Sequence, residues 1–195
     1  MAARKTRTRP GPPRGTVYRS VDHTKQLLVD AILRLLDDEL PVSSITGTAV
    51  TEAAGVNKMY IRRYFGSLDN LLLAALEEIL SRRITSLISS KVFDPVAGGR
   101  VDVRIAQAFE IFSHLSTNQE LIPRLREVGT LVVDVYARQL RDEFNLTESE
   151  ATREAIGGLL WVVGYLTVGH LMPMQTHEVL DWLSLRRSSL RRRRG

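Results

Sequence analysis

The sequence predicts an all-α protein, and three observations carry that prediction. Apolar residues recur at helical spacing along most of the chain. No run of period-two alternation lies between turn signals, so no sheet is expected. Proline and glycine fall at intervals that divide the chain into helix-length pieces. Two regions result: a three-helix N-terminal domain over residues 20–67 and a larger helical domain over 68–190. A basic arm, 1–19, precedes them and a basic tail, 191–195, follows.

Taken in order, residues 1–19 carry Pro10, Pro12, Pro13, Gly11 and Gly15 and suit a flexible arm. Leu28, Ile32, Leu35 and Leu36 then share one face of a helix expected over 24–39, and Pro41 cannot continue it. Thr46 is placed to cap a second helix that ends at Gly55, and Asn57 to cap a third that ends near Phe65. Ser67 caps a long fourth helix over 68–90, with Asp69 against its positive N-terminal dipole. After a loop at 94–99, helices are expected over 101–116, 119–128, 130–144, 148–172 and 176–190.

Charge is unevenly distributed. Residues 1–19 and 186–195 each hold six Lys/Arg and no acid. That leaves 15 basic against 22 acidic residues over 20–185, a net charge of −7 beneath the overall +5. Basic ends bind polyanions or keep a chain soluble. The N-terminal arm suits minor-groove or phosphate contact as well as it suits a free chain, and Arg191 to Arg194 read as a solvated tail. The chain has no cysteine, which excludes disulfides and thiolate metal sites and fits a cytoplasmic location. The N-terminus lacks the apolar core of a signal peptide. From Ala155 to Met172 there are 18 residues without Asp, Glu, Lys or Arg, the lower length limit for a membrane span. Four glycines interrupt that stretch, which favours a buried interface helix, and no membrane partner is expected.

The most informative segment is Val50 to Phe65. It reads as a helix, a glycine turn and a short helix with a basic outer face, the layout of a helix-turn-helix. With Gly55 as the turn, Val50, Ala54, Val56, Ile61 and Tyr64 fall where the two helices must lock, and Thr51 sits where they cross. Taking Ile61 as the core direction, about 100° per residue brings Asn57, Tyr64 and Phe65 to the same side. Met59 and Arg63 then face away, with Tyr60 and Arg62 on the flanks and Lys58 near the helix start. Arginine pairs bidentately with guanine and apolar atoms pack on the thymine methyl. Lysine, tyrosine and hydroxyl groups more often hold phosphate. The expected DNA-binding set is therefore Thr46, Thr48, Asn57, Lys58, Met59, Tyr60, Arg62 and Arg63.

Residues 24–80 resemble the tetracycline-repressor (TetR) family of bacterial regulators. Val50-Thr51-Glu52-Ala53-Ala54-Gly55-Val56 is similar to that family's Ile-Ala-x-x-Ala-Gly-Val. Tyr64-Phe65-Gly66-Ser67-Leu68-Asp69-Asn70-Leu71 is similar to its Tyr-Phe-x-Ser-Lys-Glu-x-Leu. Leu68 stands where the family has a lysine and Arg62 where it usually has a tyrosine. The family's glycine after the first helix falls here near Leu40-Pro41, so that turn must differ.

The resemblance implies a DNA-binding transcriptional regulator, expected to act as a repressor on a palindromic operator as a homodimer. It also implies a C-terminal region that binds ligand and forms the dimer through its last two long helices. The face holding Gly157, Trp161, Gly164, Tyr165 and Val168 is the expected interface. A small apolar effector is expected between the helices, where bundles place their pockets, with Phe109, Phe112, His114, Tyr136, Trp161 and Tyr165 as candidates for its lining. Aromatics at helical spacing equally serve as core. His114 and His170 lack a second ligand at metal-binding spacing, so no metal or cofactor is expected. The chain has no glycine-rich phosphate loop, His-Glu-x-x-His or nucleophile elbow, and an enzyme is not the expectation. The alternative reading is a helical small-molecule carrier or sensor without specific DNA binding, which Leu68 favours and the outward arginines oppose.

Overall fold

The computed structural model describes residues 20–90 and 103–168, and among them the side chains of all but 83–90, 165, 166 and 168. Seven α-helices account for most of these residues and no strand occurs among them. Helix α1 covers Val21–Asp37, α2 Gly47–Ala54, α3 Met59–Phe65, α4 Leu68–Ser90, α5 Val103–Leu115, α6 Ile122–Phe144 and α7 Glu148–Val168. The helix expected over 176–190, the arm, the tail and the 94–99 loop lie outside the described residues.

Helix α1 starts three residues before the sequence placed it, because Ser20 Oγ accepts the His23 amide at 3.1 Å and so caps it. Its buried face is the expected one, with Leu28, Ile32 and Leu36 in the core. The turn after it uses no glycine: Glu39 takes φ 60°, a left-handed conformation that costs a non-glycine residue about 1–2 kcal/mol. The amides of Glu39 and Leu40 then reach back to the carbonyls of Leu36 and Leu35. A 3-10 turn over Val42–Ser44 leads on to α2.

Two expected helices, over 119–128 and 130–144, are one. Asn118 caps a 3-10 turn over Gln119–Leu121, and α6 runs on through Gly129 without a break. A mid-helix glycine costs only roughly 1 kcal/mol, which the buried Leu125, Val128, Val135 and Leu140 along the same helix readily offset. Asn145, at φ 51°, ends α6. Thr147 and Glu150 then form a reciprocal capping box for α7, each side chain accepting the other's amide at 3.3 and 3.0 Å.

The buried side chains form one continuous apolar cluster from α1, α2 and α3 through α4 to α5 and the first half of α6. A second, smaller cluster lies between the far half of α6 and the start of α7, around Leu140, Phe144 and Ala155. The three short N-terminal helices therefore have no core of their own; Leu71, Leu72 and Leu76 of α4 complete it. No helix among the described residues is long and apolar enough to cross a membrane.

Candidate nucleic-acid interface

Helices α2 and α3 are joined by a turn whose geometry follows from Gly55. This residue sits at φ 62°, and the Val56 amide returns to the Thr51 carbonyl at 3.1 Å. Four of the five locking positions behave as the spacing requires: Val50 is fully buried, Ala54 and Ile61 nearly so, and Val56 packs against the same cluster, while Tyr64 is half-buried and stacks on Tyr60 outside it. Thr51, 5% exposed, turns its hydroxyl inward along its own helix, donating to the carbonyls of Gly47 and Thr48 at 2.9 and 3.1 Å. A buried hydroxyl is thus satisfied locally, which is how threonine substitutes for the expected alanine at the crossing. At the other end of α2, a side chain on Gly47 would meet Ile61 Cδ1 at 3.5 Å, so α3 is held close against the start of α2.

Most of the expected reading residues are exposed, and one hydrogen bond links two of them across the turn. Met59 is 75% exposed, and Arg62, Arg63, Lys58, Thr46 and Thr48 are also exposed. Thr46 caps α2, its Oγ1 accepting the Ala49 amide at 3.2 Å. Lys58 Nζ donates to Thr48 Oγ1 at 3.0 Å, and the Arg63 guanidinium lies 5.7 Å from the centre of the Tyr64 ring.

Two placements differ from the angular reading. Asn57 is exposed instead of core-facing, because α3 begins only at Met59 and helical stepping does not extend back to it. Its Oδ1 accepts the Met59 amide at 2.8 Å, so it still serves the helix start. Tyr60 is half-buried against the core and stacks parallel on Tyr64, with centroids 5.3 Å apart. Its ring therefore supports the helix instead of standing on the outer flank. Leu68, at the lysine position of the resemblance, is also partly buried and packed on the core.

Sequence reasoning missed the supports reached through long separations. Arg34 of α1 donates to the Ala53 carbonyl at the end of α2 at 2.9 Å, and Glu110 of α5 accepts the Val42 amide at 2.7 Å. No local pattern announces either contact.

In the helical body an open groove of about 730 Å³ runs between α5, α6 and α7, with Phe112, Leu125, Val133 and Ile156 among its apolar walls. Of the five expected lining residues whose side chains are described, Phe112 alone reaches it. His114 is exposed at the last turn of α5, while Phe109 and Trp161 are half-buried. Tyr136, also half-buried, lies against α7, where a Cβ on Gly158 would come within 3.1 Å of its ring. The Tyr165 side chain and His170 lie outside the described residues. Apart from Phe112 its apolar walls are aliphatic, which is why a search for aromatics missed them. The outward apolar face of α7 is turned by one residue from the expected one: Ile156, Leu160 and Val163 are 43%, 66% and 40% exposed.

No family model and no curated protein matches the sequence. Solved structures do match the fold. The multidrug binding protein EbrR, solved in complex with imidazole, aligns with a TM-score of 0.51 and 16% identity, over 89% of this chain and 95% of its own. The repressor AlkX from Dietzia sp. strain DQ12-45-1b, implicated in biodegradation of n-alkanes, gives a TM-score of 0.51 and 17% identity, over 86% of this chain and 96% of its own. At these identities the shared feature is the architecture, and that architecture is the all-α fold of the TetR family of repressors, to which AlkX belongs.

Proposed function

We propose that this protein is a ligand-responsive transcriptional regulator, a repressor that binds a palindromic operator as a homodimer. The observation that carries the reading is the exposed set Lys58, Met59, Arg62 and Arg63 on a short helix anchored by Ile61, Tyr60 and Phe65. Such a helix enters the major groove, its arginines and methionine meet base edges, and Thr46, Thr48 and Lys58 hold the flanking phosphates. The exposed stripe Ile156, Leu160 and Val163 on α7 supports an isologous contact with a second copy, since aligned apolar side chains of this kind are rarely left in water. Two reading heads related in this way match a two-fold operator with half-sites about one DNA turn apart, or somewhat farther.

The apolar groove supports a small apolar effector, in keeping with ligand capture in bundles. An effector that binds better to the conformer with misplaced heads releases the operator. Selection of bound sites from random duplexes tests the reading. The expected result is a palindromic consensus whose complex weakens steeply with salt. Sequence-blind, weak binding together with tight capture of an apolar ligand would instead establish the carrier reading.

A further inference from the structure

Helix α5 presents three polar side chains, three residues apart, to the far end of α1 and to the turn that leads into α2. Arg104 donates to Asp37 Oδ2 at 2.7 Å and to Gln107 Oε1 at 3.0 Å. Gln107 is only 6% exposed, and its Nε2 donates to the Leu36 carbonyl at 3.0 Å and to Asp37 Oδ1 at 3.4 Å. Glu110 Oε1 accepts the Val42 amide at 2.7 Å. The α1 attachment points are the Leu36 carbonyl of its last turn, which also accepts the Glu39 amide, and the side-chain carboxylate of Asp37, its final residue. The third is the first amide of the 3-10 turn, next to a proline that has no amide to offer.

These contacts do something the surrounding core cannot. The hydrophobic attraction among the Leu, Ile and Val side chains that join α1 to α4 and α5 is non-directional and supplies no specific polar pairing at the end of α1. Hydrogen bonds weaken steeply with angle, and a buried amide left unpaired is penalised, so a network of this kind adds a directional penalty to any head orientation that breaks it. Gln107 is the part that cannot be spared, because rotation of the head would leave its amide buried and unsatisfied.

We propose that Arg104, Gln107 and Glu110 form a latch that fixes the tilt of the α1–α3 head on the helical body, and that they are positioning residues for DNA recognition although they belong to no reading helix. The DNA consequence rests on the regulator reading above; the geometric claim does not. In a two-fold dimer the tilt of each head sets the separation of the recognition helices, so the latch sets the operator spacing the protein accepts and leaves the half-site sequence to α3.

The chain has no cysteine, so paired spin labels can be placed uniquely at the exposed positions Glu52→Cys on α2 and Glu127→Cys on α6. The label-to-label distance within one protomer, measured in protein diluted with unlabelled chain, reads the tilt directly. Gln107→Ala with Glu110→Ala is expected to broaden or shift the distribution, and Glu110→Gln, which keeps an acceptor oxygen for Val42, to restore the parent's width beside an intact Gln107. On DNA, the double variant is expected to keep the parent's half-site and lose about tenfold of its discrimination against spacers one base pair longer, the size expected for one or two net hydrogen bonds. A melting temperature that falls while distance width and spacer preference both stay as in the parent would reduce the three residues to ordinary packing and overturn the proposal. If the parent itself selects no sequence, the regulator reading fails, and the label distances alone decide the latch.

Discussion

Lys58 Nζ donates to Thr48 Oγ1 at 3.0 Å, tying the residue that caps off the turn of the motif to the first turn of the preceding helix. The bond places an ammonium beside the N-terminus of α2, where backbone amides already favour an anion. A phosphate oxygen set there meets a pre-positioned lysine instead of a freely rotating one. Lys58→Ala is accordingly expected to weaken DNA binding by a similar factor for every operator variant and to lower the slope of log affinity against log salt by about one. Thr48→Val, which frees the lysine without removing it, should leave the slope in place. Titrations at four or five salt concentrations check both.

Arg63 should behave differently. It is exposed on the far side of α3 from Ile61, with the Tyr64 ring beneath its guanidinium. Arg63→Ala is expected to cost about 1–3 kcal/mol on the preferred operator and far less on a duplex altered at the base it reads. Arg63→Lys should not restore the preference, because a lysine lacks the planar fork. Competition binding with single-base operator variants measures this, and uniform losses across all of them would assign Arg63 to phosphate.

Backbone conformation predicts two stability changes of opposite sign. Gly55 lies at φ 62° with open space around it, so Gly55→Ala meets no clash but pays the left-handed penalty, about 1–2 kcal/mol. For a chain of this length that lowers the melting temperature by roughly 2–8 °C. Glu39 holds a similar φ of 60° and is exposed, so Glu39→Gly relieves the same penalty and loses part of the gain to the greater freedom of glycine in the unfolded chain. A net stabilisation below about 1 kcal/mol is expected. Thermal melts of both variants, followed by circular dichroism, give the signs.

Leu160, 66% exposed between Ile156 and Val163, is the centre of the apolar stripe on α7. On the homodimer proposed above, Leu160→Glu should shift the mass to that of a monomer at micromolar concentration while leaving the helical signal unchanged, since a side chain this exposed adds little to the core of its own chain. Sedimentation equilibrium distinguishes the two masses. A dimer unaffected by this charge would move the interface elsewhere.

Much of this protein is written locally. The spacing of Leu28, Ile32 and Leu36, the caps at Thr46 and Ser67, and the left-handed Gly55 are short-range effects, and each could be read from neighbours in the chain because backbone sterics and helical period act over a few residues. The outward arginines follow from the same period once Ile61 is taken as inward. The misreadings have the same physical origin. Gly129 looked like a break because its own propensity is poor, yet packing along α6 outweighs it. Helical stepping misplaced Asn57 since it lies just outside the helix, and it gave Tyr60 an outer flank and Tyr64 an inner one, whereas Tyr60 packs on the core and Tyr64 stacks on Tyr60 outside that cluster.

What the tertiary structure alone decided are contacts between residues far apart in the chain: Arg34 with Ala53, Gln107 with Leu36, Glu110 with Val42, and the aliphatic groove walls brought together from α5, α6 and α7. The sequence determined where most of the described helices lie and which face of α1 is apolar, while packing joined 119–128 to 130–144 and turned the outer face of α7 by one residue. How those helices are turned against one another depends on directional bonds closed across dozens of residues, and no periodicity encodes a partner at that distance.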